Sequence, residues 1–245
     1  MAAQQGFQYE INAVNLLKPM GFVPQNFQPA GAGSDQPDLM LKYKNKEAGC
    51  ELKITAASAG SLVLKYDSAK KKWGFGDVKK DDEEKYFIVQ LADQIKLFDL
   101  INKQWNEIPF KRDKDKLWEA TAGKLEPKKR YERDRDTFKD IKGEIPASKI
   151  EEYYNKKDTY YVNVGTHGFY LMGNKNPLKL KGVPTFGQSA KAIYRARVQY
   201  KGSDNYQFTF EMQFSMKNKS PYNIAPVDGK SVSIIENKLN LSCFI

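Results

Sequence analysis

The 245-residue sequence predicts a mixed α/β fold of the α+β type, with a mainly antiparallel, β-rich C-terminal part. Three patterns indicate this class. An apolar stripe at helical spacing opens the chain, two short strand-like runs follow Pro37, and residues 192–216 largely alternate between apolar and polar side chains. A chain of this length buries a hydrophobic core of its own, either as one large domain or as two small ones.

Residues 3–18 are predicted to form the first helix, because apolar side chains recur every three or four residues until Pro19 and Gly21 end the run. The members of this apolar stripe are Phe7, Ile11, Val14 and Leu17. Glu10 lies within the stripe, where a carboxylate is unfavourable unless it is paired or bound to a metal ion. Two interpretations stay open: Glu10 is a functional acid, or it lies on the helix flank and reaches solvent.

A loop of small and polar residues over 28–36 separates this helix from a run of short strands. The predicted strands are 38–44, 49–54 and, as a candidate, 61–66. A turn near Asn45 and Lys46 joins the first two strands. A basic turn over 70–74 follows the third.

The second half of the chain begins with a helical pattern over 87–105 and a highly charged stretch over 111–142. Periodicity leaves two interpretations of the charged stretch open, an exposed helical excursion or a mobile arm. Strands are then predicted at 160–164 and 169–171, around a turn that contains the only histidine, His167. A long hairpin over 192–200 and 206–216 follows.

Composition limits the function classes. Forty Lys and Arg residues against thirty Asp and Glu give a formal net charge of +10, which attracts polyanions such as nucleic acid or an anionic membrane surface. No apolar run approaches the ~20 residues that span a bilayer, and no signal peptide is apparent, so we expect a soluble cytoplasmic protein. Two cysteines and one histidine exclude a disulfide framework and a four-ligand zinc site.

Three polar residues of the first predicted hairpin are expected to converge. Strand side chains alternate, so Glu51 and Lys53 share one face while Cys50 and Leu52 take the opposite, apolar face. Across a turn at 45–48, Asp38 comes roughly opposite Lys53. The three groups would then meet at the open end of the hairpin.

This arrangement suits the hydrolysis of a phosphodiester. Carboxylates are hard oxygen ligands for Mg²⁺, which binds phosphate oxygens and lowers the pKa of a bound water. Lys53 would orient the attacking water and stabilise the charge that develops on the phosphate. Glu10 is a candidate fourth member from the first helix.

The run Pro37-Asp38 followed by Glu51-Leu52-Lys53 resembles the signature of the PD-(D/E)XK nuclease superfamily. The resemblance covers roughly residues 1–105. It implies a restriction-endonuclease-like fold, in which a mixed central sheet is flanked by helices and the motif lies on two adjacent strands. It also implies that Asp38 and Glu51 bind Mg²⁺, with Mn²⁺ as a substitute, that Lys53 assists the nucleophile, and that Glu10 matches the acid of the family's upstream helix.

One feature departs from a subgroup of that superfamily. Exonuclease and helicase-associated members often carry a Gln-x-x-x-Tyr on the next helix, whereas Gln90 is followed by Gln94 here. The resemblance therefore favours a DNA endonuclease. Cutting both strands of a duplex most simply needs two sites, so a homodimer is one expected arrangement.

The expected organisation is a nuclease core over 1–110, a charged connecting region over 111–158, and a β-rich region over 159–245 for DNA recognition or dimerisation. Clustered basic residues are candidate DNA contacts, because phosphates attract Lys and Arg in any sequence. These candidates are Lys70, Lys71, Lys72, Lys128, Lys129, Arg130, Arg195 and Arg197. Arg195 and Arg197 lie on a polar strand face that either touches DNA or is simply solvated.

Two other function classes stay open at this point. One is a non-catalytic DNA-binding protein that keeps a nuclease-like fold. The other is a structural assembly protein whose basic surface meets an acidic partner. The clustered tyrosines at 153–154 and 160–161 likewise have two interpretations, base stacking or the hydrophobic core.

Overall fold

A computed structural model describes residues 2–29, 36–55, 57–67, 69–76, 78, 82–105, 127–202 and 205–245. Most of the predicted small-residue loop over 28–36 and the first part of the charged stretch over 111–142 lie outside these ranges. The helices are α1 (Ala2–Leu17), α2 (Glu83–Gln94), α3 (Leu97–Gln104), α4 (Pro127–Thr137), α5 (Ser148–Asn155) and α6 (Phe186–Ser189). Short 3₁₀ turns follow at Glu236–Lys238 and Ser242–Phe244.

The strands form two sheets. They are β1 (Leu39–Tyr43), β2 (Lys46–Lys53), β3 (Ser58–Asp67), β4 (Lys72–Phe75), β5 (Ile141–Ile145), β6 (Thr159–Val164), β7 (Gly168–Leu171), β8 (Ala190–Gly202) and β9 (Asn205–Met216). One sheet has the order β1-β2-β6-β7 and the other β4-β3-β9-β8-β5. The first is mixed, because β2 and β6 run parallel while its other pairs are antiparallel. The predicted α+β class with a mixed sheet and an antiparallel C-terminal hairpin is confirmed.

The chain divides into two compact units that are each discontinuous in sequence. Unit 1 comprises Met1–Ala57, Ile145–Ala192 and Phe214–Ile245, and unit 2 comprises Ser58–Glu144 and Ile193–Gln213. This division differs from the expected boundaries near residues 110 and 158. The reason is strand pairing: β6 and β7 come from the second half of the chain, yet they complete the sheet that begins with β1 and β2.

Unit 1 has its core between α1 and one face of the mixed sheet. α1 ends at Leu17, where Gly21 adopts a left-handed φ of 81° and the chain turns back. The buried stripe of α1 consists of Tyr9, Ala13, Val14 and Leu17. Phe7, predicted for this stripe, is 39% exposed instead, because Tyr9 takes the inward position one turn before Ala13. Glu10 is therefore adjacent to the buried stripe and half-buried.

The β1–β2 hairpin is tighter than the sequence suggested. Tyr43 pairs with Lys46, which leaves only Lys44 and Asn45 in the turn. Lys44 adopts a positive φ of 55°, as two-residue hairpin turns require. This register shifts each pairing by two residues from the one expected with a longer turn.

Unit 2 is organised around an aromatic cluster. The ring of Trp73 on β4 packs against the rings of Trp105, Phe138 and Phe208 at centroid distances of 4.7–5.9 Å. The single helix predicted over 87–105 is two helices, because Lys96 adopts a left-handed φ of 52° between α2 and α3. This break lets both short helices place apolar side chains inward.

A buried polar network ties three distant parts of unit 1 together. Asn163 on β6 is fully buried, and its Oδ1 accepts a hydrogen bond of 3.1 Å from the backbone N–H of Ile224. Its Nδ2 donates to the hydroxyl of Tyr9 at 3.1 Å, and that hydroxyl donates to the carbonyl of Ala225 at 2.5 Å. Because buried polar groups without partners are costly, this network fixes α1, β6 and the C-terminal segment relative to one another within unit 1.

We expect Asn163→Leu to lower the free energy of unfolding by about 2 kcal/mol or more, because it leaves the Ile224 N–H without its acceptor. Leucine has nearly the same volume as asparagine, so the loss reports the hydrogen bonds rather than a cavity. Urea denaturation measures it. Asn174→Leu, at an exposed position, is the matched control and should be nearly neutral. Equal stability of the two variants would contradict this role of Asn163.

Candidate active site

Strand β2 presents two chemically different faces. Ala48, Cys50 and Leu52 are buried in the core of unit 1. Glu51 and Lys53 alternate with them and take the other face, as the sequence predicted. Glu51 is only 7% exposed, so its carboxylate is largely removed from water.

Asp38 lies immediately before β1, and the register places it next to Glu51 rather than Lys53. Leu39 pairs with Cys50, so the next step along the antiparallel ladder brings Asp38 opposite Glu51. Oδ2 of Asp38 accepts a hydrogen bond of 2.9 Å from the backbone N–H of Leu52. The expectation that Asp38 faces Lys53 is wrong by two residues, because the hairpin turn is shorter than predicted.

The ammonium of Lys53 is paired with the carboxylate of Glu51. Nζ of Lys53 lies 2.5 Å from Oε1 of Glu51. The Lys53 side chain is 22% exposed, so it remains open to solvent on one side while its charge is compensated on the other. Charged pairs of this kind bond more strongly than neutral ones.

Tyr154 is a site residue that the sequence did not single out. It lies on α5 and is 1% exposed, and its hydroxyl donates a hydrogen bond of 3.2 Å to Oε1 of Glu51. The two residues are 103 positions apart, so no local pattern connects them. The only sequence signal was a pair of adjacent tyrosines. For Tyr153, Tyr154 and Tyr161 the core interpretation is confirmed, since all three are buried.

The pKa values of Asp38, Glu10 and Lys53 are shifted by burial and by neighbouring charges. The pKa of Asp38 is raised to about 8, first by burial and then by the charge of Glu51, against the opposing effect of Lys53. Burial raises the pKa of Glu10 to about 6, with Lys53 lowering it and Glu51 raising it. Burial alone lowers the pKa of Lys53, but Glu51 and Asp38 outweigh burial and leave it above the ordinary value.

Asp38, Glu51 and Glu10 are the residues of this region whose side chains could serve as ligands of a divalent cation. Carboxylate oxygens are the preferred ligands of this ion, and three acids around one lysine repel each other in a way that a cation relieves. Oε2 of Glu51 and Oδ1 of Asp38 accept no hydrogen bond from the part of the chain that the structure describes. Within that same part, no three acidic, histidine or cysteine side chains are already spaced as a metal site.

The predicted DNA contacts Lys70, Lys71, Lys72, Lys128 and Lys129 are exposed, and all belong to unit 2. The first three surround the turn that leads into β4, where Lys70 pairs with Asp67 at 3.3 Å. Lys128 and Lys129 lie in the first turn of α4. The side chain of Arg130 is outside the described residues.

Arg195 and Arg197 lie on β8 and are paired with acids. Nε of Arg195 donates to Oδ2 of Asp140 at 2.7 Å, and Arg197 lies 2.6 Å from Oε1 of Glu211. This strand face, expected either to touch DNA or to be solvated, is partly covered, since Thr209 and Glu211 are 1% and 2% exposed. Arg197 lies beside the buried carboxylate of Glu211, but Nε of Arg197 and Oγ1 of Thr209 have no hydrogen-bond partner among the described residues.

The remaining sequence candidates have structural roles in unit 1. His167 occupies the β6–β7 turn, where its Nδ1 lies 2.8 Å from the hydroxyl of Thr166. Cys50 and Cys243 are buried and not joined in a disulfide. No helix among the described residues combines the length and apolar character needed to cross a membrane.

No protein-family model matches the chain, and no curated protein sequence matches it. Among solved structures it is similar to HhaI endonuclease in complex with DNA, with a TM-score of 0.42 and 14% sequence identity. The match covers 87% of this chain and 92% of that one. At this level of similarity, neither the activity nor the site residues of that endonuclease transfer to this chain.

The raised pKa of Asp38 predicts a pH dependence of stability. The folded state holds a proton that the unfolded chain releases near 3.8, so stability falls as pH rises from there through about 8. In the wild type, the free energy of unfolding should be lower at about pH 8 than at about pH 5. We expect this difference to be smaller in Asp38→Asn by about 1 kcal/mol or more. Urea denaturation at both pH values measures it. Asp93→Asn, at an exposed position on α2, should retain the wild-type fall.

We expect Tyr154→Phe to lower the free energy of unfolding by about 1 kcal/mol, because Glu51 loses one hydrogen-bond donor while the ring still fills its place. Thermal or urea denaturation measures this loss. Tyr86→Phe, at a residue that is 39% exposed, removes a hydroxyl of the same kind from the surface and should be neutral. A Tyr154→Phe protein as stable as the wild type would show that the contact with Glu51 carries no net energy.

Proposed function

We propose that this protein is a Mg²⁺-dependent DNA endonuclease of the PD-(D/E)XK type, which hydrolyses phosphodiester bonds with an activated water. The observation that carries the proposal is the grouping of Asp38, Glu51 and Lys53 at the open end of one hairpin. Oδ2 of Asp38 bonds the N–H of Leu52, between the two residues on β2, and Lys53 contacts Glu51 directly. Two strands and a short turn thus hold all three groups.

In this proposal, Asp38 and Glu51 hold the metal ion through their available oxygens, and Glu10 contributes from α1. The ion, when bound, supplies positive charge for the phosphate and lowers the pKa of water. Glu10 suits this role because it is half-buried and its pKa responds to both Glu51 and Lys53. The low exposure of Glu51 strengthens every electrostatic interaction at the site.

Lys53 acts as a cation rather than as a base. Its pKa is raised above the ordinary lysine value, so its amine carries a proton at neutral pH and cannot accept another from water. A protonated amine at 22% exposure donates hydrogen bonds to an incoming phosphate oxygen or to the attacking water. Its contribution is to orient these atoms and to stabilise the negative charge that develops in the transition state.

DNA is the proposed substrate because the chain carries a net charge of +10 and exposed lysines. The lysines near β4 and at the start of α4 are the proposed phosphate contacts. Arg195 and Arg197 remain candidates only if DNA displaces their acidic partners, so their contribution is the smaller one. Cutting both strands of a duplex fits a homodimer, with one site from each copy.

A non-catalytic DNA-binding protein is the second candidate, and one observation favours it. Lys53 is bonded to Glu51, and the described acids are not already spaced as a three-ligand site. A protein that had this fold but no nuclease activity would have no need of a free Lys53 or Glu51, so an ion pair between them would be tolerated. Metal-dependent cleavage separates the two candidates.

We expect the purified protein to cleave plasmid DNA with Mg²⁺ or Mn²⁺ and not with a chelator. Glu51→Gln and Lys53→Ala should each reduce the cleavage rate by about 100-fold or more, because each removes a charge that acts on the reacting phosphate. Lys42→Ala is the matched control, since Lys42 is an exposed lysine on β1 of the same hairpin. Gel analysis of initial rates measures all four proteins.

The wild-type result decides the class of function. If the protein leaves plasmid and branched DNA intact but binds them with a strong dependence on salt, the non-catalytic candidate is supported. If cleavage occurs and Lys53→Ala cuts as fast as wild type, the proposed mechanism is wrong while the nuclease function stands. An absence of both cleavage and binding at low salt favours an assembly role with an acidic protein partner.

A further inference from the structure

A cavity of about 360 Å³ in unit 1 is lined by four lysines that the proposed nuclease site does not use. Lys44 comes from the β1–β2 turn, Lys46 is the first residue of β2, and Lys179 and Lys181 come from the segment after β7. The other lining residues are Tyr43, Asn45, Leu178, Cys243 and Ile245. The cavity lies at the turn end of the hairpin whose open end carries Asp38. Five strand residues separate the two ends, about 16 Å at the rise of a β-strand.

The four ammonium groups contact no carboxylate side chain among the residues that the structure describes. Within the part of the chain that the structure describes, none of these lysines forms an ion pair. Lys44 instead places its Nζ 4.9 Å from the centre of the Tyr43 ring. Four like charges around one concavity repel one another, and an anion in the cavity would turn this repulsion into attraction.

The segment that carries Lys179 is held in place by hydrogen bonds. The side chain of Asn176 accepts from the backbone N–H of Leu180 at 3.0 Å and donates to its carbonyl at 2.8 Å. The hydroxyl of Tyr161 donates to the same Asn176 side chain at 2.8 Å, and accepts from the N–H of Leu178 at 3.0 Å. A turn fixed in this way loses little further entropy when a ligand binds.

Two of the four lysines occupy backbone positions that favour other residues. Lys44 and Lys179 have φ values of 55° and 57°, in the left-handed region where glycine or asparagine is preferred. A non-glycine residue there carries a conformational cost. Both lysines line the same cavity, so the two strained backbone positions lie where the positive charges are concentrated.

The inner wall of the cavity is apolar. Leu178 and Cys243 are 2% and 3% exposed, and the Tyr43 ring is half-buried beside them. Low-dielectric walls beneath a ring of like charges focus the electrostatic field into the space between them. The volume falls within the range of small-molecule sites, and lysines bind phosphate as point charges.

From these observations we infer that the cavity is a binding site for a phosphate group, carried by a free nucleotide or by a nucleic-acid backbone. It is separate from the proposed metal site and does not depend on cleavage. Both sources present anionic phosphate oxygens to the four lysines, although a terminal phosphate carries up to two negative charges and a backbone phosphodiester carries one. They differ in whether the rest of the ligand continues beyond the cavity.

Calorimetric titration of the full chain at low salt tests the inference with three probes: pyrophosphate, ADP and a short single-stranded oligonucleotide. We expect Lys179→Glu/Lys181→Glu to bind the successful probe about 10-fold more weakly or worse, because charge-assisted contacts are lost. Lys191→Glu/Lys238→Glu changes the net charge equally at exposed positions outside the cavity and should bind as wild type. DNA cleavage, if present, is measured in parallel and should survive in both variants.

Each result supports or overturns the site. Loss of ADP or pyrophosphate binding identifies a small phosphorylated ligand, whereas loss confined to the oligonucleotide identifies a nucleic-acid backbone. The inference is overturned if the wild type binds none of the probes, or if the cavity and control variants bind equally. Should the double charge reversal unfold on thermal melting, Lys179→Gln/Lys181→Gln takes its place under the same criteria.

Discussion

The parallel pairing of β2 with β6 is the constraint on which unit 1 depends. It joins Glu51 to Val162 and Lys53 to Val164, more than a hundred residues along the chain. With β1 on its other side, β2 becomes an interior strand, and both of its faces are covered. Its apolar face then packs on α1. Its polar face meets α5, and there the hydroxyl of Tyr154 reaches Glu51.

This interior position explains the electrostatics of the candidate site. A carboxylate at the end of an isolated hairpin would be solvated and would have a pKa near the usual value for its residue type. In the folded chain, burial removes Asp38 and Glu10 from water, and one lysine must balance several acids. Such an arrangement is unfavourable for stability by itself, because like charges are held together in a poorly solvated place.

Local patterns in the sequence located the first helix and the hairpin that carries the motif, but not the break between α2 and α3 or the register of the hairpin. Alternation placed Glu51 and Lys53 on one face, and helical spacing placed α1 within a residue of its observed bounds. The pairing of β2 with β6 could not be predicted, because no local sequence pattern indicates which distant strand pairs in parallel with a given strand. The contact of Tyr154 was missed for the same reason. Glu211 was missed because a buried ion pair and a solvated face share one polar pattern.

The discontinuity of unit 1 has a consequence for how the protein is made. The ribosome releases α1 and the β1–β2 hairpin first. The strand that pairs with β2 on its other side begins only at Thr159. The carbonyl that accepts a hydrogen bond from the Tyr9 hydroxyl belongs to Ala225. During synthesis the acids of the hairpin are therefore expected to stay hydrated, as in an unfolded chain, until most of the chain has emerged. A fragment that ends near residue 110 lacks the strands that bury them. The environment of the motif therefore depends on segments far along the chain, namely β6, which pairs with β2, and Tyr154 on α5, which contacts Glu51.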